Sequence, residues 1–472
     1  MKKLLCSTAM VVVIAALVLT ACASPAPAPA AEPAAAVPAT VAPATNAPEP
    51  AATIPAVAQD AVTIRVLDWQ SGGPEFWEKT DKLFMEKYPN ITVTHEYVPY
   101  GTYFDSVGAY VASQDGPDLI QNEPGGNVFD RVENWEPLNA YFTPDELAQY
   151  SGTASLCTDF DCSKEIWGIP HTNQGHMMYY NKAVLKEAGL DPENPPMTYK
   201  DFGKACEKVR AIGKDCISLG AKDWAFLWAW LELSVQTVTP ADMMALQSGK
   251  QKWSDAPHIG ALRIFADMVK KGWFNEGAAA TSVVPDMQDS FVGNKSAFVM
   301  TIMSDFMNWK WWGEKMSYDN FGAMKFPVIA SGDIEGVSPS AYTGKFNPYG
   351  GIGYNLTKWS KNKDASVQYI KFVTSPETQT RYLVEGGAMP ANKGVDPEVV
   401  KGIGSPQLIE TLGWVADKGN FPASPHLYLY AAEMDELIRG AQLVLSGSST
   451  IEDMAAELQK VHDAQAALKT NP

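Results

Sequence analysis

VTIRVLDWQSGGPEFWEKTDKLFMEKYPNITVTHEYV, Val62 to Val98, changes its periodicity twice. Val62 to Leu67 alternate as a strand does, while Phe76, Trp77, Thr80, Leu83, Phe84 and Tyr88 recur at helical spacing. Ile91 to Val98 reads as a second strand, Tyr100 to Ser113 as a second helix, and Asp118-Leu119-Ile120 as a short buried third strand. Strand-helix alternation of this kind builds a parallel sheet with helices on its faces. Later helices are marked by their starts. Thr143-Pro144-Asp145-Glu146 and Thr239-Pro240-Ala241-Asp242 pair a capping hydroxyl with proline at the first helical position, and Thr198 and Ser375 open helices in nearly the same way. Ile451 to Leu468 reads as an amphipathic helix packed on the body. No repeat of 20 to 50 residues is present, which removes a solenoid.

Working back toward the N-terminus, residues 1–21 combine Lys2-Lys3, an apolar run from Met10 to Leu19 and small residues before Cys22, the pattern of an export signal. The apolar run is shorter than the roughly 20 residues a spanning helix needs. Residues 22–60 follow with nine prolines after Cys22 and no aromatic residue, a composition unable to bury enough surface to fold. This segment is expected to be a tether, able to hold a folded body up to roughly 100 Å from its anchor.

The chain carries a net charge of −17, and loss of Lys2 and Lys3 with the leader would make it two charges more negative. That argues against nucleic acid and against a basic patch on anionic lipid. Of the four body cysteines, the short separations favour Cys157–Cys162 and Cys206–Cys216 as local disulfides, in keeping with an oxidising compartment. A zinc site is disfavoured because no CxxC or HxxxH pair accompanies them, and His171 and His176 have no third metal ligand in reach of the sequence pattern. No metal and no cofactor is expected. The 410 or so residues after the tether exceed one hydrophobic core, so two lobes are expected.

Three stretches carry a family resemblance. Gly116-Pro117-Asp118-Leu119-Ile120 is the first. The second is Trp167-Gly168-Ile169-Pro170 with Tyr180-Asn181-Lys182, Glu187-Ala188-Gly189-Leu190, Pro195-Pro196, Thr198 and Phe202. The third is Phe291 to Phe298, followed by Ser375-Pro376-Glu377 and Gly387-Ala388-Met389-Pro390. In this order they resemble the carbohydrate-binding extracellular solute-binding proteins of bacterial ABC importers, the maltose-binding-protein-like group. Leu19-Thr20-Ala21-Cys22 likewise resembles a lipobox, which implies lipidation of Cys22.

The resemblance implies an α/β, periplasmic-binding-protein-like fold: two α/β lobes joined by crossing hinge strands, with a ligand cleft between them. One lobe would comprise 61–168 and 327–374, the other 169–326 and 375–472, with crossings near Gly168–His171 and Lys325–Val328. It also implies a monomer that is not an enzyme. That monomer would be exported and held at the outer face of the membrane only through its lipid, with a small-molecule carbohydrate as ligand and ABC permease subunits as partners.

Open α/β sheets bind ligands at the carboxyl ends of their strands, and sugars demand rings for their C–H faces and amides or hydroxyls for their edges. The chain has 14 Trp, 18 Tyr and 18 Phe, so placement must choose among them. Asp68, Trp69 and Gln70 follow the first strand; Asn122 and Glu123 follow the third. His171, Asn173 and Gln174 follow the expected hinge, and Gln174 stands where maltose-binding protein carries a sugar-contacting acid. Trp224 and Trp228 form an i, i+4 pair. Asp305 and Trp309 end the strand after Lys295, Tyr349 and Gly350 form a glycine-bearing return loop, and Trp414 is a candidate for the far wall.

Two other readings compete. A secreted glycoside hydrolase would need paired carboxylates, for which Asp68, Glu123 and Asp305 are present but in no catalytic motif, and neither a G-x-S-x-G elbow nor a G-K-[ST] phosphate loop occurs. A binding protein for amino acids, peptides or anions would need a fixed basic partner, and no arginine lies in the strand-end loops.

Overall fold

The computed structural model describes residues 60–69, 73–152, 165–303 and 308–470. The expected export signal, tether and Cys22 lie outside these residues, as do Gln70, Asp305, Cys157 and Cys162.

The opening stretch folds as its periodicities dictate. Strand β1 (Val62–Asp68) pairs in parallel with β2 (Ile91–Tyr97) from Val62↔Ile91 to Asp68↔Tyr97, and helix α1 (Pro74–Lys87) joins them. Gly73, at φ 86°, turns the chain into α1, and Pro74 occupies the first turn. Phe76, Trp77, Thr80 and Phe84 form the stripe that α1 buries. Helix α2 (Tyr100–Ser113) then leads to β3 (Leu119–Asn122), which lies parallel to β1 on its other side.

The first sheet is not purely parallel. Its order is β2-β1-β3-β11-β4, with β4 (Gly168–Pro170) and β11 (Gly353–Leu356) flanking each other antiparallel. β11 enters from the other half of the molecule, so its direction is set by the crossing and not by a local helix. The second sheet has the order β7-β8-β6-β9, built from β6 (His176–Asn181), β7 (Asp215–Ser218), β8 (Ser296–Ile302) and β9 (Phe321–Met324). Between the sheets, β5 (Asn173–Gln174) and β10 (Tyr349–Gly350) form a two-stranded antiparallel crossing, Gln174 opposite Tyr349.

Each sheet has its own core. Ile64, Phe84, Leu119, Ile169 and Tyr369 pack around the first, and Met178, Phe202, Phe298, Met300 and Leu262 around the second. The packing shifts the expected lobe boundary at Pro327. Ile329, Ile334, Val337 and Phe346 pack with the second core, and the chain rejoins the first sheet only at Gly353. Gln236 explains this, since its Oε1 accepts from Thr343 Oγ1 at 3.0 Å and from Gly344 N at 2.9 Å, holding the 340s loop to the second half. Beyond the expected boundary at Ser375 the chain serves both cores, Tyr382 and Ala388 packing with the first and Leu383 and Met389 with the second.

The helix starts at Thr143 and Thr239 are capping boxes with Glu146 and Asp242, while Thr198 and Ser375 accept from the backbone N–H groups of Asp201 and Thr378. The C-terminal helix runs Ile451–Thr470. A disulfide joins Cys206 to Cys216 and ties the helix Tyr199–Ala211 to β7.

Candidate functional site

The carboxyl ends of β1 and β3, the crossing strands and the helix Ala225–Ser234 surround a cavity of about 430 Å³. Trp69 directly follows β1 and Tyr100 opens α2, so both reach it from the first half. Trp224 and Trp228 reach it from the second, one just before the helix Ala225–Ser234 and one on its first turn. The four rings form a continuous rail across the gap. Ring centroids lie 5.8 Å apart for Trp69–Tyr100, 5.5 Å for Tyr100–Trp224 and 6.3 Å for Trp224–Trp228. Tyr103 sets the first ring edge-on at 4.9 Å, and its own hydroxyl is anchored to Gln121 O at 2.7 Å.

Polar groups occupy the rest of the wall. Glu123 accepts from Tyr100 Oη at 3.2 Å, while Thr172 and Gln174 project from the crossing. On the second half Asn308 caps the helix Trp309–Met316 by accepting from Lys310 N and Trp311 N, and donates to Gly387 O at 2.7 Å. That fixes Trp311, Lys310 and Glu314 at the wall, where Lys310 Nζ is 2.6 Å from Glu314 Oε1. Glu385, at the rim, is paired with Lys79 at 2.6 Å. Lys310 is thus the one basic side chain among the described residues lining the cavity, and a carboxylate already holds it.

The back wall is a cluster of His176, Tyr349 and His426, with His176 stacked on Tyr349 at 5.6 Å and His426 edge-on to Tyr349 at 4.8 Å. Burial, with the nearby His426 adding to it, drives the His176 pKa well below the ordinary imidazole range, and burial takes His426 down to about 3. Both rings are therefore neutral at physiological pH.

Of the residues expected from sequence to meet ligand, the structure brings Trp69, Glu123, Gln174, Trp224, Trp228 and Tyr349 together at this cavity. It places seven others elsewhere. Asp68 is fully buried beneath the first sheet's end, accepting from Tyr354 Oη at 3.1 Å, because the strand's alternation turns it away from the side Trp69 takes. Asn122 donates to Asn355 Oδ1 at 2.9 Å inside the sheet. His171 lies under Trp77 and Tyr354, its Nε2 3.1 Å from Gln121 Nε2. Asn173 bonds Ser151 Oγ, and Gly350 is its ladder partner. Trp309 is buried against Tyr318, and Trp311, two positions on, takes the cavity side of that helix. Trp414 packs on Phe346 beneath the Lys325 ammonium. Tyr100, His176, His426 and Trp311 also line the cavity and are not among the residues expected from sequence to meet ligand. Tyr100 was within reach of the strand-end rule, since it follows β2 as Trp69 follows β1.

The sequence profile of the bacterial extracellular solute-binding proteins matches residues 79–410. A binding protein of Brucella abortus (strain 2308) is 21% identical over 341 residues, covering 70% of this chain and 76% of its own. The sn-glycerol-3-phosphate-binding periplasmic protein UgpB of Yersinia pseudotuberculosis is 25% identical over 226 residues, 44% of this chain and 49% of its own. Among solved structures, a chitin oligosaccharide binding protein superposes with a TM-score of 0.73 at 21% identity, covering 87% of this chain and all of that one.

Proposed function

For a chain that belongs to the bacterial extracellular solute-binding proteins, we propose capture of a saccharide, without conversion, in the cavity between the two sheets. The observation that carries this reading is the ring rail from Trp69 to Trp228, contributed by both halves of the molecule. Stacked rings cover the C–H faces of a sugar, and the neutral amide, hydroxyl and imidazole groups of Gln174, Thr172 and His176 suit its hydroxyl edges. Rings from both halves also give the ligand a reason to favour a closed state, since closure alone brings both sets onto it.

A phosphorylated ligand such as the one in UgpB's name fits less well. A phosphate needs a fixed, available cation, and Lys310 is committed to Glu314 while Glu123 and Glu385 add negative charge to the wall. Cys22 would carry the lipid anchor, Cys157 and Cys162 a second local disulfide, and a membrane permease would receive the ligand from a monomeric binding protein.

The test is a thermal-shift screen against mono- and oligosaccharides with sn-glycerol 3-phosphate and amino acids as comparators. A ligand that binds only the native state stabilises by about 2.7 kcal/mol at a hundredfold excess over its Kd. Chromatography of the same mixtures should recover the sugar intact. Stabilisation by glycerol phosphate alone, or cleaved sugar, would overturn the proposal.

A further inference from the structure

The geometry points to His176 as a specificity-determining hydrogen-bond donor in the cavity, with Asn347 as the residue that fixes its tautomer. The backbone N–H of His176 meets Asn347 Oδ1 at 2.9 Å, and a backbone N–H can only donate. The amide of Asn347 is thereby oriented, its oxygen toward His176 N and its nitrogen elsewhere. Asn347 Nδ2, 3.4 Å from Leu231 O, confirms that orientation from the other side.

The same Nδ2 lies 3.2 Å from His176 Nδ1. An amide nitrogen only donates, so Nδ1 must accept and carries no proton. With the ring neutral, its single proton resides on Nε2. Nε2 meets no protein acceptor among the described residues and is not sealed off, while the residue as a whole is only 3% exposed and lines the cavity. The result is a rigid N–H, held by a two-point clamp and a stacked Tyr349, aimed into space that a ligand would fill.

Such a group recognises an acceptor oxygen, whether a hydroxyl, a ring or glycosidic ether, or an acetamido carbonyl. It gives nothing to a donor such as an ammonium. Resting on the saccharide reading, this assigns His176 to an acceptor oxygen of the sugar.

The experiment has a ligand-free arm and a ligand arm. Long-range ¹H–¹⁵N spectra of the ¹⁵N-histidine-labelled protein should show His176 with protonated Nε2 and bare Nδ1. In Asn347→Asp, which keeps the acceptor for His176 N but presents only acceptors to the ring, the proton should move to Nδ1. In the second arm, chitotriose and maltotriose are titrated by calorimetry into wild type, His176→Leu and His176→Gln. Whichever sugar binds should weaken by about three- to tenfold in His176→Leu, the worth of one neutral hydrogen bond, and recover part of that in His176→Gln. Bare Nε2 in the free wild-type protein, or equal affinities in all three proteins, would overturn the inference. If neither trisaccharide binds, the tautomer spectra decide this inference, and the saccharide reading stands or falls separately on the broader thermal-shift screen.

Discussion

Raising the pH from 6.5 to 9 should cost this protein stability through one imidazole. His95, on β2, has its side chain wedged between two carboxylates, Nδ1 at 2.9 Å from Asp81 Oδ2 and Nε2 at 3.8 Å from Asp68 Oδ2, with a side-chain exposure of only 4%. Burial alone would lower its pKa, but the negative charges of Asp68 and Asp81, with the hydrogen bond to Asp81, outweigh burial and raise it from 6.5 to about 9. The carboxylates are held in turn by Tyr354 Oη on Asp68 and Tyr369 Oη on Asp81. Because the folded pKa exceeds the unfolded one, the contribution is complete below 6.5 and is lost as pH climbs through 9. A rise of that size is worth about 3 kcal/mol. At about 2.1 cal/mol/K per residue over a body of this size, it amounts to a fall in Tm of about 3 to 4 °C. Calorimetric melts at constant ionic strength between pH 6 and 9.5 measure it directly. His95→Gln should lower Tm at pH 6, where it strands two buried carboxylates, and should remove most of the alkaline slope. His462, whose hydrogen bond to Glu433 also raises its pKa, leaves a smaller slope of the same sign. A wild-type Tm level across this window, or a His95→Gln slope as steep as wild type, would refute the reasoning.

On the acid side the sign reverses. Burial lowers the pKa values of His171 and His426 to about 3 and of His258 to about 4, so each of these costs about 2 kcal/mol by pH 5 as the unfolded chain takes up protons, and burial of His176 acts in the same direction; the same melts continued to pH 5 should show Tm falling on both sides of a maximum near 6.5. Trp224→Ala, which removes the ring bridging the two halves, should weaken sugar binding by about 2 kcal/mol, roughly 30-fold, by calorimetry, with Tm of the free protein changed far less than affinity. Reducing Cys206–Cys216, which spans a sequence separation of 10, should cost about 3 kcal/mol, read as a lower Tm in dithiothreitol that Cys206→Ser/Cys216→Ser reproduces without reductant. Gly126→Ala should destabilise by about 1 to 3 kcal/mol, because its Cβ would strike the backbone nitrogen of Ala431; denaturant melts unchanged from wild type would show that this contact between the halves gives way freely.

How far the sequence reached depended on whether a signal was local. Strand and helix periodicity is local, so β1, α1, β2 and α2 were legible to within a residue or so, as were the capped helix starts at Thr143 and Thr239, where one hydroxyl and one acid decide the matter. The return crossing was not local. Lys325–Val328 has the look of a hinge, but Gln236, some hundred residues away in sequence, ties the 340s loop to the second half and delays the crossing to Tyr349–Gly350. The same division runs through the site. The strand-end rule led to Trp69 and Glu123 because position after a strand is written in the chain. It failed one residue away at Asp68 and Asn122, whose side chains the pleat turns into the core, and at Trp309, where helical phase gives the cavity to Trp311. His171 and His176 show what remains out of reach. Both are buried neutral histidines a few residues apart. What separates them is that His171 faces Gln121 and a ring-lined core, whereas Asn347, from the far side of the crossing, turns His176 so that its one proton looks into the cavity. A side chain's role there is set by the partner that orients it, and that partner is brought to it only by the fold.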